Sequence, residues 1–160
     1  MLKGMAVSEG FGIGRAVLMP ELNLDYGAAQ SGGVEQEQKR LREAMESLSD
    51  RLLVMARQVA VHAGQPEAEI LLGHKALLQD PEFYKELDEL LCFGYAAETA
   101  VDRVCQKYIS VFRQSEDGFF RQRAADVWDI RQGLLTDLLQ RTPFHEAALP
   151  AGTVLVAGEL

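Results

Sequence analysis

Between residues 34 and 141 apolar side chains recur every three or four positions, a spacing that one face of a helix can use and a strand cannot. In residues 34–63 the stripe is Leu41, Met45, Leu48, Leu52, Met55, Ala56 and Val59, with charges of both signs on the opposite face. Gly64, followed by Pro66, stops this helix. A second helix fits 66–79, with Pro66 in its first turn and Glu67 and Glu69 near the positive end of its dipole. Asp80-Pro81 reads as an N-cap followed by proline at the first helical position, opening a third helix that ends near Cys92 and is closed by Gly94. Residues 96–114 and 119–141 give two more, separated by Ser115-Glu116-Asp117-Gly118. With 66–92 counted as one arm, the segments 34–63, 66–92, 96–114 and 119–141 are expected to pack as two helical hairpins, a four-helix bundle.

The two ends of the chain read differently. Residues 3–19 suggest two short strands around a hairpin turn at Gly10, Gly12 and Gly14, and residues 20–33 a loop. Residues 152–158 suggest one more strand. A lone strand leaves both backbone edges unsatisfied, so this one must pair with the N-terminal strands or with further sequence. The expected fold class is therefore mostly α: a helical-hairpin bundle at 34–141, inserted in a small, truncated β element formed by both termini (1–20 and 148–160).

A length of 160 residues at 48% hydrophobic content supports one sizeable core. No apolar run reaches the ~18–20 residues that span a bilayer, and the N-terminus lacks a signal-peptide pattern, so the expected location is cytoplasmic without a membrane partner. A net charge of -8 argues against nucleic acid, whose phosphates call for clustered Lys and Arg. The charge is uneven. Residues 66–98 hold eight acids against two bases, which suits either a solvated face or a docking surface for a basic protein.

Residues that carry chemistry are scarce. Gly10-Phe11-Gly12-Ile13-Gly14 is not GxGxxG and no P-loop lysine follows it. Cys92 and Cys105 read as small buried hydrophobes. His145 lies in a proline-flanked loop, and His62 ends a helix, where the dipole favours it. His74 shares a helical stripe with Ile70, Leu71, Leu77 and Leu78, which by itself suggests a core histidine. No His, Cys and carboxylate cluster has metal-site spacing, and no nucleophile has an evident base. No catalytic residue and no metal site are expected.

Three ordered motifs carry a family resemblance. Gly4-Met5-Ala6-Val7-Ser8-Glu9-Gly10 with Gly14-Arg15-Ala16 resembles the opening of the bacterial enzyme I family, the phosphoenolpyruvate–protein phosphotransferases of sugar uptake, except that Glu9 stands where proline is usual. Gly73-His74-Lys75-Ala76-Leu77-Leu78-Gln79-Asp80-Pro81 resembles the family's helix–turn–helix at the carrier-binding edge. Arg123-Ala124-Ala125-Asp126-Val127-Trp128-Asp129-Ile130 resembles its R-A-A-D-V-x-D-I stretch. The terminal TVLVAGEL resembles the strand that leads to the family's threonine-rich loop.

The resemblance implies the N-terminal part of such an enzyme. In the family, a magnesium-dependent C-terminal barrel binds phosphoenolpyruvate, and a histidine in a G-G-x-T-S-H motif receives phosphate and passes it to the small carrier HPr. This sequence has neither motif nor barrel. The implied role is HPr docking, with no cofactor in this chain and inactivity on its own; the longer enzyme would dimerise through its C-terminal part. The implied contacts are Ile70, Leu77 and Leu78 at an apolar centre, Glu67, Glu69 and Glu82 at the rim, His74 at the interface and Arg123 on the neighbouring helix. Asp126 and Asp129 share a face and could bond helix ends or a basic partner. Relatives serving nitrogen regulation or dihydroxyacetone phosphorylation, and a non-enzymatic helical interaction module, remain alternatives.

Overall fold

A computed structural model describes residues 10–18, 24–27, 29–140 and 150–156. Its elements run β1 (Arg15–Leu18), α1 (Val34–His62), α2 (Gln65–Leu78), α3 (Pro81–Cys92), α4 (Ala97–Arg113), α5 (Gly118–Leu138) and β2 (Thr153–Val156). The chain divides into two units, one of residues 1–23 with 143–160, the other of residues 24–142.

In the first unit β1 pairs with β2 in parallel, Arg15 opposite Thr153 and Leu18 opposite Val156. Residues 10–14 lead into β1 without strand pairing of their own. The expected strand before them lies outside the described residues, so the pairing seen is between the two ends of the chain. Gly14 suits the close approach at the start of this pair: a Cβ there would lie 2.0 Å from the Gly152 carbonyl oxygen.

The second unit is the helical one, and its breaks follow local chemistry. Gly64, at φ 121°, stands between α1 and α2 in a conformation that L side chains rarely adopt. Asp80 caps α3, its Oδ1 accepting from the Glu82 N–H at 2.8 Å, with Pro81 at the first helical position. Gly94, at φ 89°, follows the end of α3. The second arm is thus two helices, giving five in all among the described residues.

α1 packs against α2, α4 against α5, and α1 also meets α3, α4 and α5. The core between them holds Leu41, Leu48 and Leu52 of α1, Phe83, Leu87 and Leu91 of α3, Val101 and Val104 of α4, and Val127, Ile130 and Leu134 of α5. Met55 leaves the expected stripe and is largely exposed. Cys105 is buried, and burial pushes its thiol pKa up to about 12. Cys92 is exposed, contrary to the sequence reading: it follows buried Leu91 and, one position on, has rotated off α3's inward face.

One polar network is built into this packing. The buried Glu37 carboxylate accepts from the N–H groups of Gly32 (3.0 Å) and Ala97 (2.9 Å) and from Arg40 (2.7 Å). Arg40 also pairs with buried Glu98 of α4 and donates to the Leu138 carbonyl at the end of α5 (3.2 Å). The network therefore joins the entry, the middle and the exit of the helical unit.

Candidate functional site

α2 decides which of the expected contact residues can meet a partner. Apolar residues occupy much of its circumference, so its sequence permits more than one inward face. Packing against α1, α3 and α5 selects the face carrying Ala68, His74 and Leu78. Ile70 stays 52% exposed and Leu72 38% exposed. Glu67, Glu69 and Glu82 are exposed as well.

Two of the expected contacts are corrected. Leu78 is 4% exposed and belongs to the core, so it cannot fill an apolar centre on the surface. His74 is 5% exposed and turns toward α5, where its Nε2 lies 3.1 Å from Asp126 Oδ1. Leu77 is half-buried against the core. The exposed large apolar side chains of α2 are therefore Ile70, one of the expected contacts, and Leu72, which the sequence reading did not include and which, two positions on, stands on a different side of the helix.

Arg123 stands beside this edge, on the first turns of α5. Its Nη1 donates to Asp126 Oδ2 at 3.2 Å, and the Arg123 side chain keeps 39% of its surface. One Asp126 carboxylate thus bridges an arginine and a histidine from two helices. Partial burial pushes the carboxyl of Asp129 above the ordinary carboxylate value; charge on His74 pulls it down and Asp126 pushes it up. The i, i+3 spacing of Arg123 and Asp126 was the one sign of this cluster in the sequence.

The acidic segment is less uniform in space than along the chain. Glu98 is buried on Arg40, Asp80 caps α3, Glu86 pairs with Lys107 of α4 at 2.7 Å, and Asp88 accepts from Gln38 at 2.6 Å. The outward charges on α2 and the start of α3 are Glu67, Glu69 and Glu82, the last 3.5 Å from Lys85. A groove of about 480 Å³ between α3 and α4 is lined by both signs of charge, among them Glu82, Glu89, Arg103 and Lys107. Among the described residues no group of three or more His, Cys, Asp or Glu could hold a metal ion, and no helix is long and apolar enough to cross a membrane. His62, exposed at the end of α1, has Nδ1 2.8 Å from the Gln58 carbonyl; His145 lies outside the described residues.

Known proteins match this arrangement over nearly its whole length. Residues 3–123 match the family of PEP-utilising enzymes, N-terminal. The chain is 32% identical, over 99% of its length, to the phosphoenolpyruvate-protein phosphotransferase of Listeria monocytogenes, and 30% identical to that of Mycoplasma capricolum. It spans about 28% of the length of each of these relatives. A solution NMR structure of enzyme I superposes with a TM-score of 0.87 at 26% identity, covering all of this chain and 66% of that one. The N-terminal domain of enzyme I of the nitrogen type follows at 0.73 and 25% identity, covering 90% of this chain and 59% of that one. A mostly helical fold with a two-stranded sheet, three ordered motifs and these matches agree: the chain belongs to the family of N-terminal domains of PEP-utilising enzymes, with the fold found in enzyme I.

Proposed function

We propose that the outward edge of α2 and the start of α3 dock a small phosphocarrier of the HPr type, on behalf of an enzyme that moves phosphate from phosphoenolpyruvate to that carrier. One observation carries the reading. Ile70 is exposed on α2, where the neighbouring exposed side chains Glu67 and Glu69 are acidic, with Glu82 on the next helix. An apolar side chain bordered mainly by acids suits a partner that sets an apolar group among bases: the apolar contact holds and the charges steer. In this division of labour the phosphorylated histidine and the magnesium-binding, phosphoenolpyruvate-binding part belong to other segments of the enzyme. The chain contributes recognition in the cytoplasm, and the type of carrier it prefers assigns it to sugar uptake or to nitrogen regulation.

Titration of the chain with purified HPr, by calorimetry or NMR shifts, tests this. Ile70→Asp is expected to weaken binding about tenfold or more, mainly through faster dissociation. Glu82→Lys is expected to slow association, and the parent's association should slow as salt shortens the screening length toward ~8 Å. In the same samples, phosphoenolpyruvate and magnesium should leave no acid-labile phosphate on the chain by mass spectrometry. Shifts mapping to α1 instead of α2 and α3 would overturn the assignment.

A further inference from the structure

The chain enters the helical unit through a turn that its own side chains build. Asp25 Oδ1 accepts the Gly27 N–H at 2.9 Å, and Gly27 takes the left-handed conformation, φ 55°, that glycine adopts without strain. The turn presents Leu24 and Tyr26, both half-buried against the helical core. Tyr26 reaches further: its hydroxyl donates to the Asp102 carboxylate of α4. Burial pushes this phenol above its ordinary pKa and Asp102 adds to the rise, with the Arg131 and Arg103 charges pulling the other way. Near pH 7 the hydroxyl therefore keeps its proton and remains a donor.

Asp102 is held in place before the tyrosine meets it. Its Oδ1 accepts from Arg131 Nε at 2.6 Å and lies 2.5 Å from Arg131 Nη2, and its Oδ2 accepts from Gln106 Nε2 at 3.0 Å. Arg131 in turn stacks on the Trp128 ring, 4.9 Å from its centroid, and donates from Nη1 to Gln132 Oε1 at 3.1 Å. With the acceptor already fixed by α4 and α5, seating Tyr26 orders one side chain only, and the bond it gains is to an ionised oxygen.

Past this turn, the next anchor of the entry segment is Gly32, whose N–H donates to Glu37 at 3.0 Å. Two anchors in series make a tether of two lengths. With Tyr26 seated, residues 19–23 separate β1 from the anchored chain; with Tyr26 released, residues 19–31 do. The reach of a flexible tether grows as the square root of its length, so release extends it about 1.6-fold.

We propose that Leu24, Tyr26 and Asp102 form a latch that holds the entry segment on the helical unit, and that its opening and closing set the freedom of the first unit relative to the second. Arg131 and Gln106 are positioning residues that act through Asp102. None of these side chains belongs to the docking edge, so the latch stands independently of the docking reading.

Nitrogen-15 relaxation on the whole chain tests it. In the parent, order parameters at Leu24, Tyr26 and Gly27 should match those of α1, at about 0.85. Tyr26→Asp sets a second carboxylate against Asp102 and should open the latch. The same amides are then expected to fall below about 0.6, and β1 and β2 to tumble faster relative to α1, with helical circular dichroism unchanged. Unchanged order parameters in the folded variant, or loosened residues 24–27 with the tumbling of β1 and β2 unaltered, overturn the proposal. If Tyr26→Asp loses helical signal, Tyr26→Phe decides, because it removes only the hydroxyl and leaves a ring after which chymotrypsin still cuts. Cleavage after residue 26 about tenfold faster than in the parent, followed by mass spectrometry at low protease, supports the latch. Cleavage there at the parent's rate overturns it.

Discussion

Glu37 illustrates how a single acid can hold a helical unit together. Burial by itself would raise its pKa. The N–H groups of Ala97 and Gly32, with the Arg40 guanidinium, outweigh that and hold it below the ordinary value. A carboxylate with a depressed folded pKa adds stability above its unfolded pKa of about 4.5, and loses it as pH falls through the lower folded value. Glu37→Gln is therefore expected to cost ~2–4 kcal/mol at pH 7, since it leaves Arg40 and a buried N–H poorly paired. The gap between parent and variant in chemical denaturation should narrow as pH is lowered toward 3. A constant gap would mean that shape at this position matters and charge does not. Nothing local in the sequence announces this residue. Its spacing reads as the first exposed turn of an amphipathic helix, and its partners lie up to 60 residues away.

Elements were legible where their signals are local. Gly64, Asp80-Pro81 and Gly94 mark breaks between helices by backbone conformation and capping, and these depend on neighbours in sequence alone. The inward face of α2 was not legible. Ile70, Leu71, Leu72, Leu77 and Leu78 surround the helix, and only packing against α1, α3 and α5 decides that His74 and Leu78 turn inward while Ile70 turns out. The candidate site inherited that ambiguity: Glu67, Glu69, Glu82 and Ile70 are exposed, whereas Leu78 is buried and Leu77 half-buried. Close packing between elements left a trace in one glycine. A Cβ at Gly133 of α5 would come 2.7 Å from Leu48 Cδ1, in the core of α1. Gly133→Ala gains up to ~1 kcal/mol of helix propensity and meets ~1–3 kcal/mol of overpacking, so a net loss of about 1 kcal/mol is expected. Combined with Leu48→Ala, the loss should be smaller than the sum of the two; additivity in urea titrations would show that the two helices do not meet there as described.

For the molecule as a whole, the sequence conveyed that both termini are β and the middle is α, but not that the termini pair in parallel. Parallel strands need a long crossover between them, and here the entire helical unit serves as that crossover. The segment 24–142 carries the core and the Glu37–Arg40 network, so alone it is expected to fold with the helical signal of the full chain and to refold at the same rate. Slower refolding of the excised segment would mean that strand pairing leads. There is an entropic reason to expect the reverse. Joining Arg15 to Thr153 in an unfolded chain closes a loop of roughly 140 residues. Once formed, the Glu37–Arg40 network links Gly32 to Leu138 through two side chains, leaving about 30 residues between these points and the strands and a closure cheaper by ~1.4 kcal/mol. A cluster that looks like ordinary core electrostatics thereby acts as the knot in a drawstring, and the strands at either end can meet once it is tied.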